Sequence, residues 1–202
     1  RHVSAQDIAF ADELGFRIKL LGIARRTVDG IEQRVHPCMI RLNSPIAHVE
    51  GVYNAVVADG EFVGTCVFEG RGAGAGPTAS AVVADLVDIA RGARLPAFAL
   101  PTSELTPSCT MPMEEHYGAY YVRLMVVDRP GVIADVSAVL RDEQVSMESM
   151  LQRGRAPGEP VPVVITTHET REASMSRALS RIGELDSIVE PPRMIRIESL
   201  ER

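Results

Sequence analysis

A glycine-rich loop is the stretch of this sequence whose residues could most directly bind a ligand. Glycines occupy alternate positions from Gly70 to Gly76, and Pro77 follows directly. Glycine lets the backbone turn sharply and approach a ligand closely, and proline suits the first turn of a helix. A glycine loop that leads into a helix N-terminus can bind an anion such as a phosphate. The loop is therefore a candidate cofactor-binding loop, with a tight structural turn as the alternative.

The loop fits the common nucleotide-binding motifs only in part. Gly70, Gly72 and Ala75 satisfy the pattern G-x-G-x-x-A, but the sequence shows no second strand with an acid for the ribose after the helix. It also contains no Gly-Lys-Ser or Gly-Lys-Thr triplet of a phosphate loop. The residues by themselves leave both interpretations of the loop open.

Two histidines and one lysine are further candidates for chemistry. His36 and His48 lie near predicted strand ends, and histidine titrates near neutral pH. His36 precedes Pro37 with no carboxylate paired to it in sequence, and Lys19 alternates with apolar neighbours as on the polar face of a strand. We therefore predict structural roles for these side chains and assign no catalytic residue.

Composition restricts the possible partners and compartment. The formal net charge is −6 with no basic runs, which argues against nucleic acid as a partner. The three cysteines are widely spaced and include no Cys-x-x-Cys pair, so neither a disulfide framework nor a zinc or other metal site is indicated. No apolar run reaches the roughly 20 residues of a membrane span. We expect a cytoplasmic protein with reduced thiols and no membrane partner.

The elements around the loop follow from hydrophobic patterns and turn residues. Ser4 can cap a first helix that ends at Gly15, and a second helix should follow Pro77. Alternating apolar residues, with turns at Asp29-Gly30 and Asp59-Gly60, predict strands at 16–24, 31–40, 52–58 and 62–68. We expect these four strands to form one sheet that two helices cover only partly, which favours self-association.

The second half has a different pattern after a proline-rich linker. Prolines among Ser, Thr and Glu predict a semi-rigid linker at 95–118. Strands are then predicted at 120–127, 145–153, 161–167 and 194–198, with one helix after the turn 128–131 and another around 175–185. The order βαββαβ is the ferredoxin-like arrangement. The predicted fold class is α+β, an antiparallel or mixed sheet with helices followed by this ferredoxin-like domain.

The first half of the chain resembles the catalytic region of homoserine dehydrogenases. The similarity is carried, in family order, by Glu13–Ala24, Val35–Pro37, Gly51–Val56, Gly70–Gly74 and Pro77–Leu86. It implies hydride transfer between NAD or NADP and the small-molecule pair L-homoserine and L-aspartate 4-semialdehyde, in threonine, methionine and isoleucine biosynthesis. It also implies that Gly72, Ala73 and Gly74 contact the cofactor, and that 1–94 is part of a substrate and dimerisation domain.

The last third, 119–202, resembles the ACT regulatory module. Its Asp-x-Pro-Gly turn is matched by Asp128–Gly131. The resemblance implies that paired modules bind an amino-acid effector, threonine first, at Asp128, Gly131, Val132 and Ile133. Many members of the family carry an asparagine after the first helix, where this chain has Gln144-Val145-Ser146.

Together the two resemblances predict the C-terminal portion of a homoserine dehydrogenase. The family's Rossmann G-x-G-x-x-G and its catalytic lysine and acid have no counterpart in these 202 residues, so we expect this chain alone to be inactive. The start, which has no methionine and enters a helix at once, suggests the middle of a longer chain. A homodimer or higher homo-oligomer is expected. The alternative is a regulatory and dimerisation module that binds an amino acid and has no enzymatic activity.

Overall fold

The computed structural model describes residues 3–94, 96, 98–154 and 157–199. These residues form two compact units, one of 1–42 with 109–202 and one of 43–108. The predicted linker includes Leu95 and Ala97, which lie outside the described residues. The sequence-based ranges 1–94, 95–118 and 119–202 remain a proposal for the family modules.

The larger unit is a mixed sheet with helices on both faces, as the α+β prediction requires. Its helices are α1 (Ala5–Glu13), α3 (Val132–Asp142) and α4 (Glu172–Gly183). Its strands are β1 (Phe16–Arg26), β2 (Ile31–Arg41), β5 (Tyr117–Val127), β6 (Met147–Gln152), β7 (Pro160–Thr167), β8 (Thr170–Arg171) and β9 (Ile188–Glu198). The smaller unit contains β3 (Tyr53–Gly60), β4 (Gly64–Arg71) and α2 (Ala75–Ala90).

Strand order in the larger unit confirms the predicted ferredoxin-like arrangement and extends it. The sheet has the order β1-β2-β9-β5-β7-β6, and β8 adds to β5. The strands β9, β5, β7 and β6 with α3 and α4 form the βαββαβ module. The hairpin β1–β2 continues this sheet because β2 pairs in parallel with β9, for example Cys38 with Arg196.

The prediction that the four strands of the first half share one sheet was wrong. β1 and β2 belong to the larger sheet, whereas β3 and β4 form a separate two-stranded sheet. Alternation in the sequence identifies a strand and its faces, but it does not specify which strand becomes the neighbour. The neighbour of β2 is β9, more than 140 residues further along the chain.

The turn between β3 and β4 and the start of β9 also differ from the predictions. β3 and β4 pair as far as Gly60 with Gly64, so the turn comprises 61–63 and not Asp59-Gly60. β9 starts at Ile188 and runs through Pro191 and Pro192, where its pairing with β5 is irregular. Proline cannot donate to a strand ladder, and an irregularity in the pairing accommodates it.

An apolar core packs against each of the two faces of the larger sheet. One core lies between the sheet and α3 and α4, and contains Tyr120, Leu124, Val136 and Met175. The opposite face packs on α1, whose Phe10 and Ala11 are buried against Met39, Tyr121 and Ile195. Among the described residues, no helix is long and apolar enough to cross a membrane.

Candidate functional site

The glycine loop lies in the smaller unit, between β4 and α2. The Gly72 amide donates to the Val52 carbonyl at 3.1 Å, and a Cβ at Gly72 would come within 1.7 Å of the Asn54 amide nitrogen. Gly74 caps α2 with φ of 122°, a conformation that favours glycine. Gly72, Ala73 and Gly74 are exposed and lead directly into a helix N-terminus. This geometry suits the close approach of an anionic group.

The helix after the loop carries an unusual amount of exposed apolar surface. All residues of α2 are described, and none of them is buried. The exposed large side chains of α2 are Val82, Val83, Leu86, Val87 and Ile89. The smaller unit therefore presents an apolar face of the kind that marks an interaction surface.

The Asp128–Gly131 turn lies at the end of β5 in the larger unit, where it starts α3. The Asp128 amide donates to Glu159 at 2.9 Å, and the Gly158 amide donates to the Asp128 carbonyl at 3.0 Å. Gly131 caps α3 with φ of 96°, and nothing lies within 4 Å of a Cβ placed on it. The backbone conformation at Gly131, and not a lack of space for a side chain, therefore explains why a glycine occupies this position. The four predicted effector residues lie together here, with Val132 buried and Ile133 half-buried.

A buried charged cluster, which the sequence reading missed, lies on one face of β2. Glu32, Arg34, His36 and Cys38 are buried at alternate positions. Arg34 Nη2 donates to both carboxylate oxygens of Glu198, at 2.8 and 2.9 Å. Glu32 pairs with Arg34 and with His116. Polar residues at every second position are the only sequence signal, and such a pattern is normally the solvent face of a strand.

Burial and pairing together set the pKa values in this cluster. Burial raises the pKa of the Glu32 carboxyl, but its pairing with Arg34 outweighs this and leaves that pKa lowered. Burial lowers the pKa of His116, so the neutral imidazole is favoured.

Arg196 is held by Glu172 through Nε at 2.9 Å, and the Tyr120 hydroxyl donates to the same carboxylate at 3.0 Å.

His36 and Cys38 lie in the part of this cluster that follows Arg34 along β2, also close to Glu198. The Cys38 Sγ lies 3.1 Å from the His36 Nδ1, and one ligand atom from each of His36, Cys38 and Glu198 lies within 4.8 Å of the others. Burial raises the pKa of the Cys38 thiol to about 12. Burial and the nearby Arg196 lower the pKa of His36.

A cavity of about 510 Å³ adjoins the cluster in the larger unit. Its wall combines basic and acidic side chains, which are Arg25, Arg41, His116, His168, Glu148, Glu169 and Glu198. The cavity lies at the start of β5, whereas the Asp128–Gly131 turn follows the end of that strand. It is therefore separate from the predicted effector residues.

Comparison with known proteins agrees with the fold and identifies its class. Residues 120–186 match the family model of the ACT domain, and residues 1–87 match that of homoserine dehydrogenase. A homoserine dehydrogenase of Neisseria gonorrhoeae is 42% identical over 204 residues, which cover 98% of this chain and 47% of that protein. The chain spans about half the length of the curated relatives it matches.

Solved structures give the same assignment. The structure of a homoserine dehydrogenase from Thiobacillus denitrificans matches with a TM-score of 0.89 and 42% identity, over 98% of this chain and 46% of that one. A homoserine dehydrogenase of S. aureus matches with a TM-score of 0.61 and 26% identity, over 96% of this chain and 45% of that one. The C-terminal module is thus an ACT domain. The chain belongs to the homoserine dehydrogenase family.

Proposed function

We propose that this chain is the C-terminal portion of an NAD(P)-dependent homoserine dehydrogenase. The parent enzyme interconverts L-homoserine and L-aspartate 4-semialdehyde, on the route to threonine, methionine and isoleucine. The observation that carries the proposal is the match of nearly the whole chain to the Thiobacillus denitrificans structure at a TM-score of 0.89. We place the protein in the cytoplasm, where its three free cysteines stay reduced.

In this proposal the glycine loop contributes one edge of the cofactor site. Gly72, Ala73 and Gly74 are exposed, and the start of α2 favours negative charge. A nicotinamide dinucleotide, NADP or NAD, would supply or accept the hydride when bound. A single loop buries only a small part of a dinucleotide, whereas such sites bury most of the ligand. We therefore expect the 202-residue chain to bind neither cofactor tightly and to be inactive.

The experiment on activity compares the chain with a complete enzyme of the family. Homoserine oxidation is followed by NADPH absorbance, with the same protein concentration in both assays. We expect turnover only with the complete enzyme. Measurable turnover by this chain would contradict its assignment as a portion without catalytic residues.

The ACT domain is proposed to bind an amino-acid effector, threonine first, with isoleucine and methionine next. The first amides of α3, at Val132 and Ile133, can meet a carboxylate, since the start of a helix leaves its amides without intrahelical acceptors. The Asp128 carboxylate can meet the ammonium group. These few contacts give an affinity on the order of micromolar to millimolar.

Calorimetric titration of the chain with L-threonine tests the effector site. Gly131→Val should abolish the binding heat, because φ of 96° at this position is unfavourable for valine. Arg177→Ala is the control, since Arg177 contacts Glu143 and Ser174 on the helix surface and should leave the binding heat unchanged. Flat titrations with threonine, isoleucine and methionine at millimolar concentration would contradict the effector proposal. The ACT domain would then be a dimerisation or spacer element.

A further inference from the structure

Three potential metal ligands converge inside the larger unit. His36 and Cys38 are two residues apart on β2, so both side chains lie on the same face of the strand. Glu198 reaches this face from the adjacent β9, and one donor atom from each residue lies within 4.8 Å of the others. Donors bound to one Zn²⁺ ion lie about 3.3 to 3.8 Å apart. The three groups therefore need only a small adjustment to share an ion.

The His36 ring provides an independent indication of a ligand. His36 is only 8% exposed, and its Nε2 has no hydrogen-bond partner among the described residues. Its Nδ1 lies 3.1 Å from the Cys38 Sγ and 3.3 Å from the Pro37 carbonyl oxygen. A buried polar atom without a partner costs free energy. That cost is removed only where Nε2 itself binds the ion, because a metal on Nδ1 would leave Nε2 as a buried N–H donor without an acceptor.

From this arrangement we propose that His36, Cys38 and Glu198 bind a divalent transition-metal ion, with Zn²⁺ the preferred ion. Imidazole, thiolate and carboxylate are the three ligand types that zinc accepts in proteins. The thiolate forms as the ion binds, because metal coordination displaces the thiol proton. The short spacing His-x-Cys on a strand differs from the paired Cys-x-x-Cys motifs of zinc fingers, which is why cysteine spacing gave no indication of a metal site.

Two guanidinium groups near the site oppose a cation, but both are already paired. Arg196 is held by Glu172, and Arg34 is held by Glu32 as well as by Glu198. Arg34 Nη2 contacts both carboxylate oxygens of Glu198, so one oxygen can move to the ion while the other keeps the ion pair. Because Arg34 also pairs with Glu32, the positive charge of Arg34 stays compensated when a Glu198 oxygen moves to the ion.

A neighbouring cavity reaches one of the three donors. Glu198 is part of the wall of the 510 Å³ cavity, together with polar side chains such as His168 and Glu148, whereas His36 and Cys38 are not part of it. An ion from the cavity therefore meets the Glu198 carboxylate first, and a water molecule on the cavity side can be the fourth ligand. Three protein ligands with one exchangeable position are typical of zinc sites that react with small molecules, whereas purely structural sites use four protein ligands.

Cobalt titration of the chelator-treated 202-residue chain tests the site. Co²⁺ is the probe because a cobalt–thiolate bond gives a near-ultraviolet charge-transfer absorption that carboxylate and imidazole ligands alone do not give. We expect one equivalent of Co²⁺ to produce this absorption in the unaltered chain and Zn²⁺ to displace it. An unaltered chain that shows no thiolate absorption at stoichiometric cobalt would overturn the proposal, without reference to any variant.

Variants identify the ligands. Cys38→Ser should lose the thiolate absorption and at least tenfold in zinc affinity, whereas the control Cys66→Ser should keep both. Glu198→Gln should keep the thiolate absorption with weakened affinity, and its fold is checked by circular dichroism. Unchanged absorption in Cys38→Ser would place the ion at another cysteine and overturn the assignment.

Discussion

Asp7 shows how single buried charges join α1 to the sheet. Its carboxylate accepts hydrogen bonds from Arg123 Nε at 2.7 Å and from the Tyr121 hydroxyl at 3.1 Å, and it also completes the capping box with Ser4. Asp7 is 1% exposed. Breaking a buried pair by removing one charge leaves the other uncompensated, which costs about 3 to 5 kcal/mol.

We therefore expect Asp7→Asn to lower the free energy of unfolding of the larger unit by about 3 kcal/mol or more, measured by urea denaturation. Asp12→Asn is the matched control, because Asp12 lies on the same helix and is exposed. The control should change the free energy by less than about 0.5 kcal/mol. Equal effects of the two substitutions would show that the Asp7–Arg123 pair does not stabilise the unit.

Asp7 also predicts how the stability of the larger unit depends on pH. Burial raises the pKa of Asp7, but hydrogen bonds from Arg123 and Ser4 outweigh this and hold that pKa below its ordinary value. A carboxyl whose pKa is lowered by folding stabilises the protein above its unfolded pKa, and this contribution is lost as pH falls through the folded pKa. Stability should therefore decrease with acidification below about pH 4. The decrease should be smaller in Asp7→Asn, and parallel pH profiles of the two proteins would contradict this expectation.

At the level of elements, substitutions on α2 and α3 test how much each helix contributes to the free energy of unfolding. Leu140 on α3 is 3% exposed and packs in the main core, whereas Leu86 on α2 is 59% exposed. We expect Leu140→Ala to cost about 2 to 5 kcal/mol of unfolding free energy. Leu86→Ala should change the stability of its own unit by less than about 0.5 kcal/mol, measured at protein concentrations low enough to keep the chain monomeric. Denaturant unfolding measures both, and a large loss in Leu86→Ala would contradict the exposed position of α2.

The sequence predicted most elements because their signals are local. Ser4 as cap, Gly15 as stop, the turn at Asp29-Gly30 and the βαββαβ order were all confirmed, and each depends on residues close together in the chain. The pairing of β2 with β9 was not predictable from such signals, because it joins distant segments. For the same reason the sequence indicated no carboxylate partner for His36, although Glu198 lies beside it in the fold. The glycine loop and the Asp128–Gly131 turn were located in advance, while their ligands stay predictions.

At the scale of the whole molecule, the exposed apolar face of the smaller unit predicts self-association. Exposed side chains of this unit include Val56, Phe68, Val83, Leu86 and Ile89. Contiguous exposed apolar patches of more than a few hundred Å² are rare on monomers and mark interaction surfaces. Light scattering at micromolar protein should therefore give a mass of at least twice the 21.9 kDa of one chain.

A charge placed on this face should reverse the association. The double substitution Leu86→Glu and Ile89→Glu places two carboxylates one turn apart on α2, and burying them in an interface without partners would be costly. We expect this variant to shift towards the mass of one chain. Val28→Glu is the control, because Val28 is fully exposed in the β1–β2 turn and should leave the mass unchanged. A monomeric unaltered chain would contradict self-association, and an oligomer that persists in the double variant would exclude α2 as the surface that mediates it.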